Sequence, residues 1–122
     1  RTHFFLKTNQ VVNNMSHTID EIYENISQKI SNTIPGDWSS SKLDVEFNGD
    51  CAEFDATFKM PTGKLVDFDV EYNLYKDFKD LYIIMTKEGD QHKWNRASFK
   101  LDPTGKFSID FNWDQALADQ YK

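Results

Sequence analysis

A chain of 122 residues with 20 acidic and 14 basic side chains, net charge −6, is long enough for one domain around a single core. It is too acidic for nucleic acid to be its direct ligand, because phosphate binding needs a basic footprint; a basic protein partner matches the charge better. The single cysteine, Cys51, excludes an internal disulfide, no run approaches the roughly 18 apolar residues of a membrane span, and Phe4-Phe5-Leu6, interrupted by Lys7, is too short for a signal peptide, so the expectation is a soluble protein of the reducing cytoplasm.

Residues 1–14 are polar after Leu6 and aperiodic. They read as an N-terminal extension, with Met15 a candidate natural start, or else as a short N-terminal strand. Residues 15–122 read as a single α+β domain. A first helix is expected over 18–33: Ile19, Ile22, Tyr23, Ile26 and Ile30 form one stripe, Thr18 and Glu21 form a capping box, and Pro35-Gly36 ends it. Trp38 follows in a loop over the helix end.

Alternation of apolar and acidic residues then predicts strands over 42–47, 51–60 and 64–72. Leu43, Val45, Phe47, Ala52, Phe54, Ala56, Phe58, Val66, Phe68, Val70 and Tyr72 would face one side; Asp44, Glu46, Glu53, Asp55, Asp67, Asp69 and Glu71 would face the other. Asn48-Gly49 predicts a two-residue hairpin pairing Phe47 with Asp50 and Val45 with Ala52. Pro61-Thr62-Gly63 predicts a three-residue hairpin pairing Phe58 with Val66, Ala56 with Phe68 and Phe54 with Val70. These registers set Asp44 beside Glu53, Glu53 beside Glu71, and Asp55 between Asp69 and Lys42.

A second helix is expected over 74–87, with Leu74, Phe78, Leu81, Tyr82 and Met85 as its stripe and Gly89 as its stop. After a polar loop, strands are expected over 95–101 and 106–113, with Ala97, Phe99, Leu101, Phe107, Ile109 and Phe111 inward and Arg96, Ser98 and Lys100 outward. Pro103-Thr104-Gly105-Lys106 repeats the turn Pro61-Thr62-Gly63-Lys64. The tail from Asp114 is short enough for one helical turn. The order α-β-β-β-α-β-β predicts an antiparallel meander of about five strands with two helices packed on one face. The acidic face is then open, and the field polarised across the sheet.

His3, His17 and His92 are scattered, and neither a phosphate-binding glycine motif nor a nucleophile–base pairing is present. Asp67, Asp69 and Glu71 on one side of a strand could hold Mg²⁺ or Ca²⁺ through oxygens, so a small divalent-metal-dependent enzyme is one reading. A flat, open face argues against it, since catalysis uses a water-excluding pocket. A ligand-binding module with a Phe-lined cavity is a third reading. No catalytic, cofactor or metal residue is assigned. From Asp44 to Glu71 there are eight acids and two bases, while the rest of the chain balances, twelve against twelve. A surface that was merely solvated would mix signs and gain cross-strand pairs. The imbalance marks Asp44, Glu46, Glu53, Asp55, Asp67, Asp69 and Glu71 as candidate partner-binding residues.

Ile34-Pro35-Gly36-Asp37-Trp38, the helix before it, and the run from Gly105 to Asp114, Gly-Lys-Phe-Ser-Ile-Asp-Phe-Asn-Trp-Asp, together resemble the YezG-like antitoxin (immunity) family. The similarity covers most of residues 15–114. It implies a bacterial immunity protein that binds and neutralises a cognate toxin domain one to one. Such toxins are often nucleases, delivered by a neighbouring cell or made by the same cell, and contact-dependent growth inhibition systems carry immunity proteins of this kind. An acidic inhibitor surface would meet the basic substrate site of such a toxin. Asp110 and Asp114 are secondary candidates, or else structural, with Trp113 closing the core and Asp114 capping a turn.

Overall fold

The computed structural model describes residues 18–48, 51–87 and 93–120. The extension expected over 1–14, Met15, the turn residues Gly49 and Asp50, and Gly89 and His92 lie outside them. The elements in chain order are α1 (Ile19–Thr33), β1 (Ser40–Phe47), β2 (Ala52–Lys59), β3 (Leu65–Phe68), α2 (Leu74–Met85), β4 (Arg96–Leu101), β5 (Phe107–Asn112) and α3 (Gln115–Asp119). The expected α+β order is present, with the tail adding a third short helix.

Helix α1 starts where its capping box dictates: Glu21 N–H donates to Thr18 Oγ1 at 3.1 Å and Thr18 N–H to Glu21 Oε1 at 2.9 Å. Its stripe of Ile22, Ile26 and Ile30 joins Leu74, Phe78 and Leu81 of α2 over one face of the sheet. There they bury Leu43, Val45 and Phe47 of β1 and Ala97, Phe99 and Leu101 of β4. The two helices are also tied by Lys29 Nζ to Asp77 Oδ2 at 2.6 Å, with Asp77 buried. Fully burying a side chain of this size contributes about 1.5–3 kcal/mol, which fixes the covered face.

The strand order is β3-β2-β1-β4-β5. The chain is therefore not a simple meander. The first three strands and the last two are separate antiparallel runs, and the second docks beside β1 rather than β3, with α2 spanning between them. Strand β1 is central, antiparallel to both β2 and β4.

The hairpin at Pro61-Thr62-Gly63 has the expected register, Phe58 opposite Val66 and Ala56 opposite Phe68, with Gly63 at φ +96°. The first hairpin does not. Phe47 pairs with Ala52 and Val45 with Phe54, leaving residues 48–51 as a four-residue connection. Asn48 holds its base, its Oδ1 accepting from Cys51 N–H at 2.8 Å and its N–H donating to the Cys51 carbonyl at 3.1 Å. The slip is by two residues, which keeps every side chain on its face, so alternation alone cannot detect it. Strand β3 also stops at Phe68, before the expected Tyr72. The chain leaves the sheet there and turns into α2, with Leu74 N–H on the Glu71 carbonyl, and Tyr72 is 90% exposed.

Trp94, not Trp113, closes the core. Trp94 is 1% exposed among Phe47, Phe78, Tyr82 and Phe111, whereas Trp113 is 37% exposed beneath Lys93 Nζ at 4.3 Å.

Candidate functional site

With both long helices on one face, the other face of the sheet is left open. The observed registers replace the expected charge pairings. Asp44 stands directly opposite Asp55, not Glu53, and Glu46 stands opposite Glu53. Lys42 stands opposite Thr57, not Asp55, and reaches Asp44 at 3.6 Å. On its other side β1 meets β4, so Asp44 faces Ser98 and Glu46 faces Arg96; Ser98 in turn faces Asp110 on β5. Four strands thus carry one row, Asp55–Asp44–Ser98–Asp110, with three carboxylates. Beside it runs Glu53–Glu46–Arg96–Asn112.

These rows line an open hollow of about 570 Å³. Ser98 Oγ, within the first row, is buried and has no hydrogen-bond partner among the described residues. Arg96 relieves part of the charge at one edge: its Nη1 donates to Glu46 Oε2 at 2.9 Å and its Nε to Asp114 Oδ2 at 2.8 Å. Those bonds, Asp114 first, raise the guanidinium pKa further above its ordinary range. The same contact with Arg96, then the Leu117 N–H, holds the Asp114 carboxyl below its ordinary value. Asp114 is the N-cap of α3 and is clasped twice by Asn95, whose Oδ1 accepts from its N–H and whose Nδ2 donates to its carbonyl. It thereby holds the start of α3 against the sheet.

Of the sequence candidates, Asp44, Glu46, Glu53 and Asp55 are brought together. Asp67 lies on the open face but on edge strand β3, opposite Thr57. Asp69 and Glu71 lie past the end of β3 in the link to α2, so Asp67, Asp69 and Glu71 do not share a strand face. Among the described residues no group of three or more His, Cys, Asp or Glu is placed to hold a metal ion.

The field is polarised along the strands rather than across them. At the opposite end of the open face, Lys42 on β1 pairs with Lys100 on β4, and Lys59 on β2 and Lys106 before β5 flank them. Alternation turns Lys100 outward and sets Lys42 among the acids, and the same rule applied to β2 turns Lys59 outward. Their grouping was hidden because it requires β4 to lie beside β1.

The sequence model of the family described as immunity protein YezG-like matches residues 53–122. The chain belongs to this family. Two immunity proteins named YezG are similar to it. That of Bacillus spizizenii is 28% identical over 116 residues, covering 82% of this chain and 71% of the relative. That of Bacillus subtilis is 25% identical over 117 residues, covering 84% and 78%. The YezG-like match begins at Glu53 and so takes in β2 to α3, including Asp55, Arg96, Ser98, Asp110 and Asp114. The central strand β1, with Asp44 and Glu46, lies ahead of it. No helix among the described residues is long and apolar enough to cross a membrane.

Proposed function

We propose that this YezG-like protein neutralises a cognate toxin domain by binding it one to one through the acidic end of its open sheet face, and that the toxin is a nuclease. The observation that carries this reading is the double row in which Asp44 faces Asp55 and Glu46 faces Glu53. Like charges directly opposite cost stability, so a fold that retains them gains only when a basic surface covers them. A nuclease supplies such a surface, since it must hold phosphates. The inhibitor acts by occupation and needs no catalysis of its own. A carboxylate-lined hollow shields the toxin's cations from substrate and speeds encounter. The site of action is the cytoplasm of the producing cell, consistent with the free, exposed thiol of Cys51.

The test is binding to a catalytically inactivated toxin domain encoded beside this chain's gene. The triple variant Asp44→Lys, Glu53→Lys, Asp55→Lys should fold, by circular dichroism, and lose on the order of 100-fold in association rate, with the salt dependence flattened. Unchanged kinetics would move the epitope off this face.

A further inference from the structure

The lysine end of the same face is not accounted for by an inhibitor that only meets cations. Lys42, Lys59, Lys100 and Lys106 surround an open hollow of about 760 Å³, larger than the acidic one and continuous with it through Asp44 and Asp55, which line both. Among the described residues, no ion pair engages Lys59 or Lys100, whereas Glu46 at the other end is held by Arg96. One of the chain's large exposed apolar side chains, Leu65 at 66%, sits on the rim of this hollow, opposite Lys59. Lys42 is paired with Asp44 and Lys106 lies beside Asp102, which also lines the hollow, so Lys59 and Lys100, next to the exposed Leu65, are the cations left there for a partner's carboxylates.

We propose that this end is a second docking subsite, which takes a carboxylate-bearing patch of the same toxin surface while the acidic end takes its basic patch. The inference rests on the toxin-binding reading above and deepens it. The occupant is a folded protein rather than a polyanion because Asp44 and Asp55 stand in the wall of the lysine hollow, where a continuous run of phosphates would be repelled. Only a surface that itself carries both signs, spaced along one direction, satisfies both ends. Such a two-signed match also fixes orientation: docking reversed along the strands sets lysine against cation and carboxylate against carboxylate.

The experiment reverses Lys59, Lys100 and Lys106 to Glu, and separately neutralises them to Gln, in the full chain. Affinity for the inactivated toxin domain encoded beside it is then measured by titration calorimetry, with circular dichroism as the check of folding. The Glu variant should bind at least about 30-fold more weakly and the Gln variant less severely, each with the acidic end intact. Native chain that binds the toxin as tightly as both variants overturns this inference and leaves the acidic-end reading standing. Native chain that does not bind the toxin overturns both. Two further arms use the native chain alone. Binding of a short DNA duplex or of inorganic phosphate, abolished in the Glu variant, would make the lysine end an anion site. A dimer in sedimentation, dissociated by the Glu variant, would make it a contact between two copies. Either result overturns the proposal.

Discussion

Asp44 and Asp55 lie directly opposite each other on β1 and β2, on the open face and at the centre of the acidic row. Each such like-charge pair costs an amount within the roughly 0.2–1 kcal/mol of cross-strand interactions. Asp55→Lys turns this repulsion into attraction. The variant should be more stable than the native chain by about 0.5–1 kcal/mol in urea unfolding, yet bind toxin more weakly. Stability and binding moving in the same direction would show that the row is not held for a partner. Added salt should raise the native chain's stability by screening the same contact.

Much of this fold can be read from residue spacing, and the reason differs between elements. Helix α1 is legible because Thr18 and Glu21 satisfy each other's backbone donors locally, and the β2–β3 register because Gly63 takes a positive φ that only one loop length uses well. The β1–β2 register is not legible: Asn48 accepts from Cys51 N–H instead of entering a two-residue turn, and a slip of two preserves both faces. The sheet order is also hidden, because nothing local to β4 states that it pairs with β1. Candidate residues Asp44, Glu46, Glu53 and Asp55 needed only alternation to be found. Alternation runs on through Asp69 and Glu71 and so groups them with the others, although the turn into α2 takes over after Phe68.

Trp94 sits where the two runs of strands and α2 meet, with ring centroids 5.1 Å from Phe111, 5.2 Å from Phe47 and 5.5 Å from Tyr82. Trp94→Ala should cost about 3–5 kcal/mol, a large part of the roughly 5–15 kcal/mol that keeps a domain folded. Trp113→Ala, which loses an exposed ring and its contact with Lys93, should cost no more than about 1 kcal/mol. Urea titration of the two variants checks the contrast, and equal losses would return Trp113 to the core.

Arg96 joins the open face to α3 by bonding Glu46 and Asp114 at once. Because Asp114 titrates below its ordinary carboxylate value of 3.8, its contribution is present above that value and is lost as pH falls through the lower folded one. Asp114→Asn keeps an N-cap acceptor for Leu117 N–H but removes the charge from Arg96. The native chain should therefore melt above Asp114→Asn at neutral pH, with the gap closing as pH falls below the ordinary carboxylate range. Asp102, also held low chiefly by the Thr104 hydroxyl, keeps its own acid dependence in both proteins and serves as the internal control.

Tyr23 supplies the alkaline counterpart. Burial, and then the negative charge of Asp20, push its hydroxyl from 10.0 up to about 12. Its ring lies in the core at 9% exposure, 5.3 Å from Phe107. A folded pKa above the unfolded one means that the unfolded chain releases its proton first. The stabilisation is therefore complete below pH 10 and declines as pH rises toward the folded value. Tyr23→Phe keeps the ring and removes the proton. Its melting temperature should lie close to the native one at neutral pH and exceed it progressively above pH 10, in thermal melts at matched ionic strength. Parallel curves for the two proteins through that range would mean that Tyr23 ionises as freely in the folded chain as in the unfolded one.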